Sequence, residues 1–156
     1  MNIRRNIQFA LKRRTYKGNK LSENLPIRMR VSYNCQRIDI MMGYFVNEDD
    51  WDPALQRVKK NAVGKYGAKA NTINADLNKA AYEMDEVFKE FELLAYFMEN
   101  AGLALSREKI LNGVWDYDYF GDARTVDTHV KKLRAKMGDK GDLIKTIWGM
   151  GYKFEA

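Results

Sequence analysis

The 156-residue sequence predicts an α+β chain, in which a three-stranded antiparallel sheet and a long helix lead into a second, mostly helical part that ends in a short hairpin. Three observations predict this. Apolar and polar residues alternate with period two through "NIQFALKR" and "PIRMRVSYN" near the N-terminus. From Asn71 to Asn100 apolar residues recur every three or four positions without a breaker. Beyond Ala101, two helical stripes precede "LIKTIWGMGYKFE", which reads as two short strands around Gly-Met-Gly.

In the first strands, Ile7, Phe9 and Leu11 share one side, as do Ile27, Met29, Val31 and Tyr33. A two-residue turn at Asn34–Cys35 sets Val31 opposite Ile38 and Met29 opposite Ile40 on a buried face. The other face then pairs Ser32 with Arg37 and Arg30 with Asp39. Glycine suits the second turn position better than Cys35, because a side chain at positive φ costs about 1 kcal/mol. The exposed face of the sheet is expected to carry Lys12, Arg14, Arg28, Arg30, Ser32 and Arg37, and a basic ribbon of this kind suits a DNA groove. "NEDDWDP" reads as a capped turn, with Asn47 as N-cap and Trp51 as a plug beneath the sheet. "NAVGKYGAK" is a loop.

The stripe Ile73, Leu77, Ala80, Met84, Val87, Phe88, Phe91, Leu94, Ala95, Met98 belongs to one amphipathic helix of about 30 residues, about 45 Å long. After it, "LSREKILNGVW" offers Ser106 as N-cap of a short helix with Ile110, Leu111 and Val114 inward. "DARTVDTHVKKLRAKMG" opens at Asp122 as N-cap and closes at Gly138, with Val126, Val130, Leu133 and Met137 on the core face. Thr125, Thr128, His129, Lys132 and Lys136 then form one exposed flank, while Arg124, Lys131 and Arg134 occupy other exposed positions.

Composition narrows the function classes. With 46% hydrophobic residues and three Trp, the chain has material for packed cores. No run of about 18 apolar residues suggests a membrane span, and the N-terminus has no signal-like apolar stretch, so a cytoplasmic location is expected. One cysteine, Cys35, and one histidine, His129, allow neither an internal disulfide nor a Cys/His zinc set, and no cofactor or metal is expected. The acid pairs Asp49/Asp50 and Asp116/Asp118 read as solvated caps, and Trp115, Tyr117, Tyr119 and Phe120 as core and loop packing. Net charge is +6, and residues 1–37 hold ten Lys or Arg against the single acid Glu23. Such a block points to a polyanionic partner, nucleic acid first.

The stretch "FALKRRTYKGNKLSENLPIRMRVSYNCQRIDIMMGYFVNEDDWDPALQRVK", followed by a helix, resembles the arm-type DNA-binding domain of Bacteroides-type phage integrases, which are tyrosine recombinases. The resemblance covers about residues 3–90 and implies that the basic sheet grips DNA. "FELLAYFMENAGLALSREKILNGVWDYDYFGDARTVDTHVKKLRAKMGDKGDLIKTIWGMGYKFE" closely resembles the winged helix-turn-helix effector domain of OmpR/PhoB-type response regulators, over about residues 88–156. This second resemblance implies that Arg124, Thr125, Thr128, His129, Lys132 and Arg134 face DNA from the recognition helix, with Lys131 on phosphate. It likewise implies that Thr146, Trp148 and Tyr152 act from the wing. Many relatives carry Arg where this chain has Trp148.

Together the two resemblances give domains at 1–90 and 91–156 sharing a helix at about 71–100, with the winged helix lacking its usual N-terminal sheet. Phe91, Leu94, Phe97 and Met98 then need cover from the N-terminal sheet or from a second copy of the chain. Neither a receiver domain nor recombinase domains are recognisable, so a fusion, natural or engineered, is inferred. The expected function is non-enzymatic binding of double-stranded DNA in the manner of a transcription regulator. The alternative is a fusion acting as a structural or homodimerising module without sequence-specific binding. A recombinase is disfavoured, because the usual Arg/His/Tyr catalytic set has no counterpart here. No membrane partner is expected.

Overall fold

The computed structural model describes residues 5–115 and 122–155. Tyr117, Tyr119, Phe120 and the Asp116/Asp118 pair lie outside the described residues. The chain divides into two compact units, Met1–Tyr82 and Glu83–Ala156.

In the first unit, β1 (Arg5–Leu11), β4 (Leu25–Tyr33) and β5 (Gln36–Val46) form an antiparallel sheet in the order β1-β4-β5. The alternation is strongest in the central strand, which buries Leu25, Ile27, Met29 and Val31. Opposite them on β1, Phe9 faces Met29, and Ile7 faces Val31. The expected hairpin register is observed, with Val31 opposite Ile38, Met29 opposite Ile40, Ser32 opposite Arg37 and Arg30 opposite Asp39. Asn34 and Cys35 have φ of 46° and 63°, the two left-handed positions of a type I′ turn, so the strands accept Cys35 where glycine is favoured.

Burial on β5 departs from the expectation. Ile38 is 57% exposed and Ile40 36%, because β5 is an edge strand whose cover reaches only its far end at Val46. Between the strands lies a small hairpin, β2 (Thr15–Tyr16) and β3 (Asn19–Lys20), that the alternation pattern does not reveal. Asn47 does precede a 3-10 turn at Glu48–Asp50, yet its side chain does not cap it. It instead accepts from the Asn24 amide and donates to Asp50. Trp51 is buried on β6 (Trp51–Asp52), which pairs with β7 (Arg57–Val58). Asp52 Oδ1 takes the Ala54 and Leu55 amides, both at 2.9 Å, and so forms the turn between them.

The long helix α1 runs Ala70–Glu99, 30 residues without interruption. Ile73 and Leu77 are buried in the first unit and Leu93 and Phe97 in the second.

The second unit adds β8 (Ala104–Ser106), α2 (Arg107–Val114), α3 (Thr125–Met137), β9 (Ile144–Ile147) and β10 (Gly151–Phe154). Its core joins Leu93 and Phe97 of α1 to Leu105, Ile110, Leu111, Trp115, Val126, Val130, Leu133, Ile144, Tyr152 and Phe154. Phe97 is therefore fully covered within its own unit, and Leu94 packs against the same cluster, so these two need neither the sheet nor a second copy. Ser106 caps α2 as expected, its hydroxyl accepting the Lys109 amide at 3.1 Å. Asp122 stands two residues too early to cap α3; its carboxylate accepts the Arg124 amide, and the helix begins at Thr125.

The C-terminal hairpin gains a third strand, in the order β8-β10-β9. With only Leu105 pointing inward, three residues carry no readable period, so β8 escapes a sequence reading. Gly151 permits the pairing: a Cβ there would lie 2.2 Å from the Leu105 carbonyl oxygen. Among the described residues, no helix is long and apolar enough to cross a membrane.

Candidate nucleic-acid interface

In the second unit, the candidate surface is built from α3 and the β9–β10 hairpin. Val126, Val130 and Leu133 anchor α3 in the core, which leaves Arg124, Thr128, Lys131, Lys132 and Lys136 exposed. Thr125 is half-buried in the first turn. The hairpin turn, Trp148 to Met150, projects from the strands with Gly149 at φ 75° and Trp148 94% exposed. Thr146 is exposed beside it on β9.

One carboxylate joins these pieces. Asp127 Oδ1 on α3 accepts the Tyr152 hydroxyl at 2.6 Å and Arg107 Nε, at the start of α2, at 2.8 Å. Burial pushes the Asp127 pKa up, but the Tyr152 hydroxyl and Arg107 outweigh it and hold the carboxyl below its usual range. The Tyr152 ring in turn has two guanidinium groups over it, Arg107 at 5.3 Å and Arg134 at 5.5 Å from its centroid. Arg134 donates to the Ile144 carbonyl through Nε and Nη2 and to Thr146 Oγ1 at 3.0 Å. The last turns of α3 are thus tied to β9, and its first turn to β10.

Three residues expected to face a ligand are placed otherwise. Tyr152 is only 5% exposed, its ring in the core and its hydroxyl spent on Asp127. Arg134 is half-buried, with its donors directed to β9. His129 is 5% exposed, against Trp115 at 5.0 Å between ring centroids. For His129, Trp115 packs against the ring, and α1 brings Glu86 and Glu90 to the same flank of α3. Glu86 and Glu90 of α1 mark its path: Glu86 pairs with Lys132 at 2.9 Å, and the buried Glu90 pairs with Lys136. Burial lowers the His129 pKa, with the nearby lysines adding to the effect and Glu86 opposing it.

In the first unit, Lys12 and Arg14 lie beyond the end of β1 at Leu11, so they belong to the stem of the β2–β3 hairpin rather than to the sheet face. Arg28 and Arg30 do share a sheet face, but both bind Asp39: Arg28 Nη1 at 2.7 Å and Arg30 Nε at 2.9 Å. The Arg30 hydrogen bond, with Coulombic help from both arginines, holds the Asp39 carboxyl below its usual range. Arg37 is exposed. The strand register read from the sequence sets Arg30 opposite Asp39 but does not reveal the bridge from Asp39 to Arg28. Sequence reasoning missed Arg107, Asp127, Glu86 and Glu90 entirely. The spacing of Glu86 and Glu90, four apart like Lys132 and Lys136, was the available signal. Among the described residues no group of His, Cys, Asp and Glu is arranged to hold a metal.

Residues 87–154 match the family described as transcriptional regulatory protein, C terminal. The chain is 48% identical over 72 residues to the transcriptional regulatory protein SrrA of Staphylococcus aureus, which covers 44% of this chain and 30% of that relative. The chain thus spans less than a third of the length of the curated relatives it matches. Among solved structures, the DNA-binding domain of Bacillus subtilis CssR is 46% identical, with a TM-score of 0.39, over 42% of this chain and 73% of that one. The DNA-binding domain of response regulator AdeR, solved in complex with an intercistronic region, is 25% identical with a TM-score of 0.39, over 44% of this chain and 70% of that one. By its sequence match, the segment 87–154 is a response-regulator C-terminal DNA-binding domain of the OmpR/PhoB type.

Proposed function

We propose that the chain is a non-enzymatic, double-stranded DNA-binding protein of transcription-regulator type. α3 enters a major groove and presents Arg124, Thr125, Thr128 and Lys132 to bases and backbone, with Lys131 on phosphate. The wing turn lies against the neighbouring backbone or minor groove through Trp148 and Thr146. His129, Arg134 and Tyr152 act behind this surface as positioning residues. The N-terminal unit, which resembles an integrase arm domain, is a second DNA-contacting module, and the two modules meet within α1. The combination of two such modules supports a fusion.

The observation that carries this reading is the Asp127 carboxylate shared by Tyr152 and Arg107, which holds an exposed turn and an exposed cationic helix face in one fixed frame. Preorganised contacts of this kind lower the ordering cost of binding. The test is selection of binding sites from a random duplex library by the intact chain at about 0.15 M salt. An enriched short motif supports the reading. Recovery of no motif, with binding lost at modest salt, overturns sequence-specific recognition.

One observation favours a second reading, a homodimerising module: Val87 and Met98 of α1 are 48% and 58% exposed. Apolar self-association would persist as salt rises, and sedimentation across a salt series separates it from DNA binding.

A further inference from the structure

Among the described residues of the N-terminal unit, the densest run of cations without a carboxylate partner lies on its small hairpin rather than on its sheet. Lys12, Arg13, Arg14, Lys17 and Lys20 fall within nine consecutive residues, and no acid occurs between Arg5 and Glu23. All five are exposed, and among the described residues none has a carboxylate partner. Arg28 and Arg30 on the sheet, by contrast, already share Asp39. A cation whose charge is balanced within the protein gains little from a phosphate, since it must first give up its own partner.

The hairpin is also built to hold its shape. Lys17 and Gly18 have φ of 47° and 83°, a type I′ turn that matches the twist of the two strands. Thr15 pairs with Lys20 and Tyr16 with Asn19. At the base, the Lys12 amide donates to the Pro26 carbonyl of β4 at 2.8 Å, and the Leu21 amide donates to the Arg14 carbonyl at 3.0 Å. Tyr16, 63% exposed, stands between the basic side chains, with Lys17 Nζ 5.5 Å from its ring centroid. A fixed backbone bearing exposed cations and a phenol fits phosphate and sugar, which have no sequence, better than base edges, which demand a fixed fork.

We propose that the β2–β3 hairpin, through Lys12, Arg13, Arg14, Lys17 and Lys20, is the surface by which the N-terminal unit grips the sugar–phosphate backbone of double-stranded DNA. This rests on the DNA-binding reading above. The grip is sequence-independent: it adds counterion release to the affinity, and the winged helix supplies selectivity.

The experiment measures duplex affinity of the intact chain across a salt series, for the parent, for Lys12→Ala/Arg14→Ala/Lys17→Ala/Lys20→Ala together, and for Arg28→Ala/Arg30→Ala. The hairpin variant is expected to flatten the slope of log affinity against log salt by about 2 to 3, at about 0.9 per lost phosphate contact. The sheet variant should flatten it by less than about 1, and the motif selected from a random library should be the same for all three. Thermal melts that superimpose would show the hairpin variant to be folded, as expected for exposed side chains. An unchanged slope in the hairpin variant, or a larger loss in the sheet variant, overturns the proposal. So does a hairpin variant that loses binding to single-stranded RNA or to phosphatidylserine vesicles while keeping its duplex affinity. Absence of any duplex binding by the parent chain at low salt overturns the functional reading and this inference together.

Discussion

The Tyr152 hydroxyl donates to Asp127 Oδ1 at 2.6 Å, and this one bond fastens the central strand of the C-terminal sheet to the first turn of α3. Arg107 meets the same oxygen and also stacks over the Tyr152 ring, so two helices and the wing converge on a single side chain.

Tyr152→Phe keeps the ring under Arg107 and Arg134 and removes only the donor. A hydrogen bond to a charged group contributes about 1.5–3 kcal/mol, so the urea midpoint of the C-terminal unit should fall by a corresponding amount. Weaker duplex binding should accompany it, because the wing is no longer pinned. A midpoint unchanged from the parent would show that Arg107 alone holds Asp127.

His129 makes stability depend on pH. Its folded pKa lies below the ordinary 6.5, so the unfolded chain binds more protons and stability rises with pH across that window. The contribution is present at pH 7 and above, and is lost as the pH falls below about 6.5. Thermal unfolding between pH 7.5 and pH 5.5 should therefore show a declining midpoint, and His129→Phe should flatten the decline. An equal slope in the variant would assign the acid sensitivity to other groups.

Trp148→Ala should leave the melting curve within about 0.5 kcal/mol of the parent, because the side chain is 94% exposed. Its effect should appear in DNA affinity. Of the three tryptophans, Trp51 and Trp115 are buried, so quenching by acrylamide reports on Trp148 alone. Duplex addition should shield it, and shielding that fails to appear would remove the wing tip from the contact surface.

Glu86→Gln tests whether α1 restrains α3. Glu86 is lifted by burial, yet Lys132, His129 and Lys89 hold its carboxyl below the usual range. Releasing Lys132 from it should raise duplex affinity at low salt and steepen the salt dependence by up to about 0.9. Affinity equal to that of the parent would mean that Lys132 exchanges Glu86 for phosphate without cost.

Phe97→Ala addresses the core. The ring is fully buried and meets Tyr152 edge-on at 6.5 Å, so truncation should cost about 3–5 kcal/mol. Circular dichroism and the melt of the C-terminal unit should both register the loss. A cost under about 1 kcal/mol would mean that the α1 contact is dispensable.

Features encoded by local periodicity and local chemistry are legible along the chain. The β4–β5 register followed from alternation on both sides of a two-residue turn, since a slip of one residue would invert every side chain. The 30-residue helix followed from an unbroken stripe, and the Ser106 cap from one hydroxyl before a helical run. The C-terminal family was legible because "RTVDTHVKKLR" and the terminal hairpin preserve a contiguous pattern.

The tertiary structure alone decided which polar residues are free to act. Helical angle puts His129 outside, but Trp115 packs against it while Glu86 of α1, about 40 positions earlier, pairs with Lys132 on the same flank, and no local pattern records that approach. Arg28 and Arg30 read as open cations until Asp39 reaches across the register to both. Tyr152 and Arg134 read as surface contacts until Asp127 and the β9 carbonyl claim their donors. Burial and ion pairing are sums over segments distant in sequence, whereas strand and helix periods are properties of neighbours. Elements can therefore be read along the chain, and the exposure of their side chains only across it.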